Sequence, residues 1–305
     1  MKLITIILIF LILFGCSTKE KTCKNQIISK MQFSPKGTYL TLSSQSDFCI
    51  VNANNYSTVL DISREGFDNH IYDFLWLNES AFIYINSTLS EEEKTPTFVN
   101  IFNIEGNKSN KIFQIYVEFE KQDQLRLTNE RESIILSYRN LTENKKLVDV
   151  YYNINPQTFE LTKISGVNLD SKYYRYYKDR VAILNETNIS IYENEHLESI
   201  YFDLSKFTNK SSNSILSFEV SPSGRYIALE ASKSACAREL AGQICSTAMI
   251  LLYDRQTKMI ILEDSGGEEI GLNNRAIYAF SPDDKKFIYL FSMEPLSKLR
   301  EVRLG

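Results

Sequence analysis

Histidine is scarce in this sequence, with only two in 305 residues, and this limits the chemistry that the chain can perform. A Ser-His-Asp site would have to use His70 or His196, and both lie in polar segments that indicate solvated loops. The sequence also lacks Gly-x-Ser-x-Gly, Gly-x-x-x-x-Gly-Lys-Ser/Thr and His-Glu-x-x-His. These absences predict a protein that is not an enzyme. Hydrolysis of carbohydrate by a pair of carboxylates stays open as the alternative, because such a pair is close in space rather than in sequence.

The sequence also lacks the ligand spacings of common metal sites. No two of the five cysteines have the Cys-x-x-Cys spacing of a zinc site. The acidic run at Glu91, Glu92 and Glu93 lacks the Asp-x-Asp-x-Asp spacing of a calcium loop, and it indicates a solvated loop tip. We therefore expect no metal and no other cofactor.

Long basic runs are absent too, and the formal net charge is −4. Proteins that bind nucleic acid usually present a basic patch, so nucleic acid is not an expected partner. The hydrophobic fraction is 43%, with 18 Phe and 18 Tyr, which is ample for a folded core.

No stretch of useful length has the helical period; instead, one short pattern recurs along the chain. An apolar residue followed by Ser-Pro, a turn and an alternating apolar run begins at Phe33, Val220 and Phe280. Ser and Pro suit the first two positions of a type I turn and Gly suits the fourth, while Pro ends the strand before it. Each copy therefore predicts a strand, a tight turn and a returning strand.

Weaker copies begin at Trp76, Leu127 and near Tyr174, so the copies start about 43 to 60 residues apart, the scale of a propeller blade. Further strand signals give each unit four strands, A to D in chain order. The sequence predicts an all-β fold, a β-propeller of six blades with four antiparallel strands each, over residues 27–305. The sixth unit lacks a fourth strand. Residues 16–26 are predicted to be a tether and closing strand, with pairing across residues 22–28 removing an exposed edge.

The first 15 residues predict an export signal. Lys2 precedes an apolar run over residues 3–14 that is too short to span a bilayer comfortably. Leu13, Gly15 and Cys16 resemble the lipobox of bacterial lipoproteins. The resemblance implies a signal peptide over residues 1–15 and a lipid on Cys16 that anchors the protein in the cell envelope, with Ser17 implying the outer membrane, facing the periplasm. An ordinary signal peptide or an uncleaved anchor is the alternative.

Four cysteines remain once Cys16 is set aside, an even number that suits an oxidising compartment. Of the three possible connectivities, Cys23–Cys49 with Cys236–Cys245 closes the two shortest loops. Free, buried thiols are the alternative.

The Phe-Ser-Pro-x-Gly pattern resembles the WD40-like repeat of the TolB-type six-bladed β-propellers, over nearly all of the chain that follows the signal. TolB carries an additional N-terminal domain, whereas only a short segment precedes the first repeat here, so its role is not carried over. The resemblance implies an exported propeller that binds other molecules, often proteins. The expected partner is another envelope protein.

Loop lengths predict which end of the propeller binds. The A–B turns are short, whereas the longest loops within blades are B–C loops, and the D–A links open on the same end. Binding residues are common on loops held by a rigid scaffold, so we expect binding on the B–C and D–A face. The candidate residues are Glu91, Glu92, Lys145, Arg238, Glu268 and Glu269. The alternative is that insertions collect where they least disturb folding.

Overall fold

The structure of the protein is a computed structural model. It describes residues 28–44, 47–63, 69–88, 94–118, 125–130, 133–141, 147–155, 157–164, 174–177, 180–185, 187–193, 196–206, 215–234, 246–266, 275–292, 294 and 296–305. These residues form antiparallel strands and two short 3-10 helices, Leu204–Lys206 and Leu296–Lys298.

The strands fall into six sheets, which follow one another along the chain as blades 1 to 6. Blade 1 contains β1 (Lys30–Phe33), β2 (Tyr39–Ser43), β3 (Asp47–Asn52) and β4 (Thr58–Ser63). Blade 2 contains β5 (Asn69–Asn78), β6 (Ala81–Thr88), β7 (Lys94–Asn103) and β8 (Lys108–Glu118). Blade 3 contains β9 (Arg126–Glu130), β10 (Ser133–Leu141), β11 (Leu147–Ile154) and β12 (Leu161–Ile164).

The second half of the chain repeats this plan. Blade 4 contains β13 (Tyr174–Tyr177), β14 (Arg180–Asn185), β15 (Asn188–Glu193) and β16 (His196–Tyr201). Blade 5 contains β17 (Ile215–Val220), β18 (Tyr226–Ser234), β19 (Ser246–Asp254) and β20 (Met259–Ser265). Blade 6 contains, among the described residues, β21 (Ala276–Phe280), β22 (Lys286–Phe291) and β23 (Arg300–Arg303).

The first strands of the blades form the inner ring. The strand β1 contacts β5, β5 contacts β9, β9 contacts β13 and β13 contacts β17. Blades 5 and 6 meet through a hydrogen bond of 2.9 Å between Ser217 Oγ and Tyr278 OH, and β21 contacts β1 to close the circle. The prediction of an all-β propeller is therefore confirmed, with six antiparallel sheets. The predicted closing segment lies outside the described residues, apart from Ile28.

The core lies between the blades. Blades 1 and 2 meet through aromatic side chains, among them Phe48 and Phe82 with ring centroids 5.1 Å apart. Blades 1 and 6 meet through aliphatic side chains such as Leu40, Leu42 and Ile288. Each buried side chain of this size stabilises the fold by roughly 1.5–3 kcal/mol. Alternation along the strands explains this arrangement, because each sheet presents apolar side chains to both neighbours.

The three Ser-Pro turns have the predicted geometry. The N–H of Gly37 donates to the carbonyl oxygen of Ser34 at 2.9 Å, and Gly224 and Asp284 make the corresponding bond in their turns. Gly37 and Gly224 have positive φ angles, of 75° and 80°, which suit glycine. Asp284 adopts the same left-handed conformation, with φ 56°. Asp is one of the few other residues that tolerate this conformation.

Candidate binding face

The two ends of the propeller carry connections of different length. We call the turn end the one that carries the A–B and C–D turns, which span residues 34–38, 53–57, 79–80, 104–107, 131–132, 155–160, 178–179, 194–195, 221–225, 255–258 and 281–285. The loop end carries the B–C and D–A connections, which span residues 44–46, 64–68, 89–93, 119–125, 142–146, 165–173, 186–187, 202–214, 235–245, 266–275 and 292–299. The longest connections between strands lie at the loop end, as the sequence predicted.

At the turn end, a carboxylate from blade 2 caps the Ser-Pro turn of blade 1. Glu79 accepts hydrogen bonds from Ser34 Oγ at 2.6 Å and from the backbone N–H groups of Lys36 at 2.8 Å and Thr38 at 3.3 Å. Partial burial acts to raise the pKa of Glu79, but the hydrogen bonds from Ser34, Lys36 and Thr38 together hold this pKa below its usual value. The charged carboxylate therefore joins the two blades.

A second cap of the same kind joins blades 5 and 6. Asp284 Oδ2 accepts hydrogen bonds from Ser221 Oγ at 3.0 Å and from the N–H of Ser223 at 2.8 Å. In the turn of blade 6, Ser281 Oγ instead donates to Asp283 of its own turn at 2.7 Å, and this bond is the main reason why the pKa of Asp283 is lowered. Glu79 and Asp284 thus hold neighbouring blades together, whereas the bond from Ser281 to Asp283 stays within one turn.

Towards the loop end of the inner ring, the buried carboxylate of Asp73 joins three blades. Lys30 of blade 1 forms an ion pair with Asp73 and also donates to the carbonyl oxygen of Phe74 at 2.7 Å. The N–H of Leu127 in blade 3 donates to Asp73 Oδ2 at 2.7 Å. Asp73 follows an irregularity in the pairing of β5 with β6, between Ile71 and Asp73. Such a bulge redirects the side chains of the strand that contains it.

The buried carboxylate of Glu230 performs the same task between blades 5 and 6. Arg275 binds it through two nitrogens, Nε to Oε1 at 2.6 Å and Nη2 to Oε2 at 2.8 Å. The N–H of Ala276, at the start of β21, donates to Oε1 at 3.0 Å, and Ser217 Oγ donates to Oε2 at 2.7 Å. Like Asp73, Glu230 therefore bonds a backbone N–H at the beginning of the next blade.

Both ion pairs turn their positive member towards solvent. The side chains of Asp73 and Glu230 are 5% and 1% exposed, whereas those of Lys30 and Arg275 are 35% and 52% exposed. A buried carboxylate needs such a partner, because an unpaired charge is costly away from water. Since β1 and β21 are adjacent, the loop end presents cations at blades 1 and 6.

Ten of the predicted site residues lie outside the described residues. These are Cys16, Cys23, Cys236, Cys245, Glu91, Glu92, Lys145, Arg238, Glu268 and Glu269. The strand ends that flank the last six lie at the loop end, and the assignment of these residues to a binding face stays a prediction. Of the four cysteines in the predicted pairs, Cys49 is described: it is fully buried and disulfide-bonded.

The two histidines differ from the loop prediction. His70 lies within β5, partly buried, with its ring centroid 4.6 Å from that of Tyr72. His196 is exposed and begins β16, where it pairs with Glu193. Both loop assignments were wrong because polar residues at the ends of blade strands resemble turns. The side chains of the residues described contain no group of three or more His, Cys, Asp or Glu that could hold a metal ion.

Sequence reasoning missed Asp73 and Glu230. Each is the single charged residue in an apolar run, Ile71 to Leu75 in one case and Ile227 to Ala231 in the other. An isolated carboxylate at a buried position of a strand is the signal that could have found them, because it requires a partner.

No family model and no curated protein matches this chain. Among solved structures, it is similar to one described as TolB from Agrobacterium tumefaciens, with 12% identity, 92% of this chain and 91% of that chain covered, and a TM-score of 0.48. It is also similar to Hsv2 from Kluyveromyces lactis, with 12% identity, 90% and 74% covered, and a TM-score of 0.41. At this identity and these TM-scores the similarities say nothing about function, and the fold stands on the six sheets themselves.

Within the described ranges, no helix has the length and apolarity needed to cross a membrane.

Proposed function

We propose that the chain is an exported β-propeller that binds another protein of the cell envelope through its loop end. The observation that carries the proposal is the contrast between the two ends. At the turn end, connections are short and the carboxylates of Glu79 and Asp284 are committed to neighbouring blades. At the loop end, the connections are longer along the chain, and the half-buried Lys30 and the exposed Arg275 lie at the first strands of blades 1 and 6. Loops held by a rigid scaffold are the usual location of binding residues.

Charge favours a polar, complementary interface rather than an apolar one. Lys30 begins the inner strand β1 and Arg275 directly precedes the adjacent inner strand β21, and the connections of the same end contain Glu91, Glu92, Lys145, Arg238, Glu268 and Glu269. Charged residues of both signs at an interface orient the two proteins as they meet and make the binding specific. We propose that an acidic segment of the partner contacts the centre, near Lys30 and Arg275.

Charge reversal with a matched control tests this proposal. Tagged protein carrying Glu268→Lys is used to capture partners from native membranes, beside a variant carrying Glu105→Lys. Glu105 lies in an exposed turn between β7 and β8, so the second variant makes the same change at the turn end. We expect Glu268→Lys to reduce capture and Glu105→Lys to leave it intact, with both circular dichroism spectra unchanged. Loss of capture by Glu105→Lys alone would place the interface at the turn end and contradict the proposal.

The proposed location is the periplasmic side of the outer membrane, with a lipid on Cys16 as the anchor. The lipobox resemblance supports it, and Cys16→Ser tests it. This change should release the protein from the membrane fraction or leave the precursor unprocessed. An unchanged membrane fraction with normal processing would contradict lipid anchoring.

Binding without catalysis is part of the proposal. The alternative, a hydrolase acting on carbohydrate, requires a pair of carboxylates available to substrate. The buried carboxylates of Asp73 and Glu230, which face neighbouring blades, instead accept hydrogen bonds at both oxygens. Release of reducing sugar from envelope polysaccharide by the purified protein would favour the hydrolase.

A further inference from the structure

Blade 4 exposes large apolar side chains at the circumference of the propeller. Leu197 and Tyr201 on β16 are 59% and 72% exposed, and Tyr192 on β15, which pairs directly with Leu197, is 46% exposed. Their strand neighbours Ile191 and Ile200 are buried in the cluster that packs blade 4 against blade 5. Because side chains alternate along a strand, the three exposed residues lie together on the face of blade 4 that is turned away from blade 5.

The backbone of β16 is paired along one edge. The N–H of Phe202 donates to the carbonyl oxygen of Thr187 at 3.0 Å, which continues the pairing of β16 with β15. In an antiparallel pair alternate residues exchange hydrogen bonds, so the backbone groups of Leu197, Ser199 and Tyr201 point away from β15. In the described part of the chain, β16 is the last strand of its sheet. These three residues therefore offer N–H and C=O groups to a further strand.

The outermost described strands of the other blades carry features that protect a sheet edge. The pairing of β4, β8 and β20 with the strand before each is interrupted by an irregularity. The strands β12 and β23 have four residues each, and Lys163 and Arg303 on them are exposed. Bulges, short strands and exposed charges all hinder the addition of a further strand. In contrast, β16 pairs with β15 without interruption over six residues, and Leu197, Ser199 and Tyr201 are uncharged.

We propose that β16 pairs with the β16 of a second copy of this chain, antiparallel and about a twofold axis at Ser199. In this register each Leu197 lies opposite the partner's Tyr201, and the two Ser199 residues lie opposite each other. Every residue whose backbone groups point outward then meets a residue of the same kind, as a hydrogen-bonded antiparallel pair requires. An interface that uses the same patch on both copies closes as a dimer.

The chemistry of the edge favours a second copy as its occupant. Aliphatic and aromatic side chains that face each other across antiparallel strands stabilise the pairing, and Tyr192 extends this apolar row within each copy. On the other face of the sheet, Glu198 comes opposite the partner's Ile200. Glu198 is held within its own copy by Arg255, with Nε 3.0 Å from Oε2. The pairing therefore brings no two carboxylates of β16 opposite each other.

Photo-cross-linking in intact cells tests which molecule covers β16. A photo-reactive amino acid at Tyr201 should give an adduct of two copies of this chain, identified by its peptides. The same group at Met259 is the matched control, because Met259 is 62% exposed on the interrupted strand β20 and should give no such adduct. Adducts of position 201 with a different protein, equal adducts at both positions, or none at position 201 would overturn the proposal.

Paired substitutions test the register. Leu197→Lys with Tyr201→Lys places like charges opposite each other in the proposed pairing, whereas Leu197→Lys with Tyr201→Glu places opposite charges there. We expect the first variant to dimerise more weakly than the second by on the order of tenfold or more, in analytical ultracentrifugation of the full chain in detergent. Met259→Lys should associate as the wild type does, and circular dichroism checks that all variants are folded.

Equal association of the two double variants, or a wild-type protein that stays monomeric at every concentration, would overturn the proposal. The strand β16 runs between the two ends of the propeller, so this pairing does not rest on the proposed binding face. It can fail while partners still bind at the loop end, and the reverse also holds.

Discussion

Single buried carboxylates join the blades of this propeller. Asp73 on β5 and Glu230 on β18 are two examples, and each bonds a backbone N–H of the following blade and a cation from a neighbouring one. A carboxylate in this position is held by several donors at once, so its removal leaves more than one group without a partner. The loss of one member of a buried pair is costly for this reason.

Asp73→Ala should therefore reduce the free energy of unfolding by about 3 kcal/mol. The change removes the acceptor of the Leu127 N–H and leaves Lys30 beside a cavity. Urea unfolding measures the loss, with Glu105→Ala as a control, since Glu105 is exposed in a turn. Equal stabilities for the two variants would show that Asp73 does not join the blades.

Gly37 offers a second test at the scale of one residue. Its φ angle is 75°, and an added Cβ would lie 3.3 Å from Cδ of Pro282 in the turn of blade 6. We expect Gly37→Ala to destabilise the fold by about 1–2 kcal/mol, because both the backbone and this contact oppose a side chain. Gly106→Ala is the matched control, since no atom lies closer than 4.0 Å to its added Cβ. Equal melting temperatures for the two variants would contradict the account of this turn.

At the scale of the element, the Ser-Pro turn acts as a joint between blades as well as a reversal of the chain. The sequence predicted the turns from Ser34, Ser221 and Ser281 because the turn chemistry is local. The capping of one turn by Glu79 or Asp284 of the next blade could not be predicted, because residues far apart in sequence meet only when blades pack. Asp284 shows this clearly: it lies in the turn of blade 6, yet it bonds Ser221 and Ser223 of blade 5.

The cap of Glu79 predicts a dependence of stability on pH. Its pKa is lowered in the folded protein, so its contribution is present above the unfolded value of about 4.3 and is lost as pH falls through the folded value. Glu79→Gln should cost about 1 kcal/mol at neutral pH. The difference between wild type and variant should shrink below about pH 4. Urea unfolding at several pH values checks this, and a difference that grows in acid would contradict the cap.

At the scale of the whole molecule, the sequence was sufficient for the repeat and therefore for the blades. The units that begin at Phe33, Trp76, Leu127, Tyr174, Val220 and Phe280 all place their first strand in the inner ring. Several strands are longer than the pattern indicated; β7 begins at Lys94, before the apolar run that starts at Phe98. The ion pairs of Lys30 with Asp73 and of Arg275 with Glu230 could not be predicted, because they depend on which blades face each other. The candidate loop residues remain a prediction.

The claim that most needs a test is that partners bind at the loop end. A photo-reactive amino acid placed at Arg238 or Glu269 would be activated in intact cells, beside the same group at Glu105 or Lys258 in the turns of the opposite end. Covalent adducts of one envelope protein at the first two positions and none at the other two are the predicted result. Adducts only at Glu105 and Lys258 would show that the propeller binds through its turn end, and would contradict the proposed function.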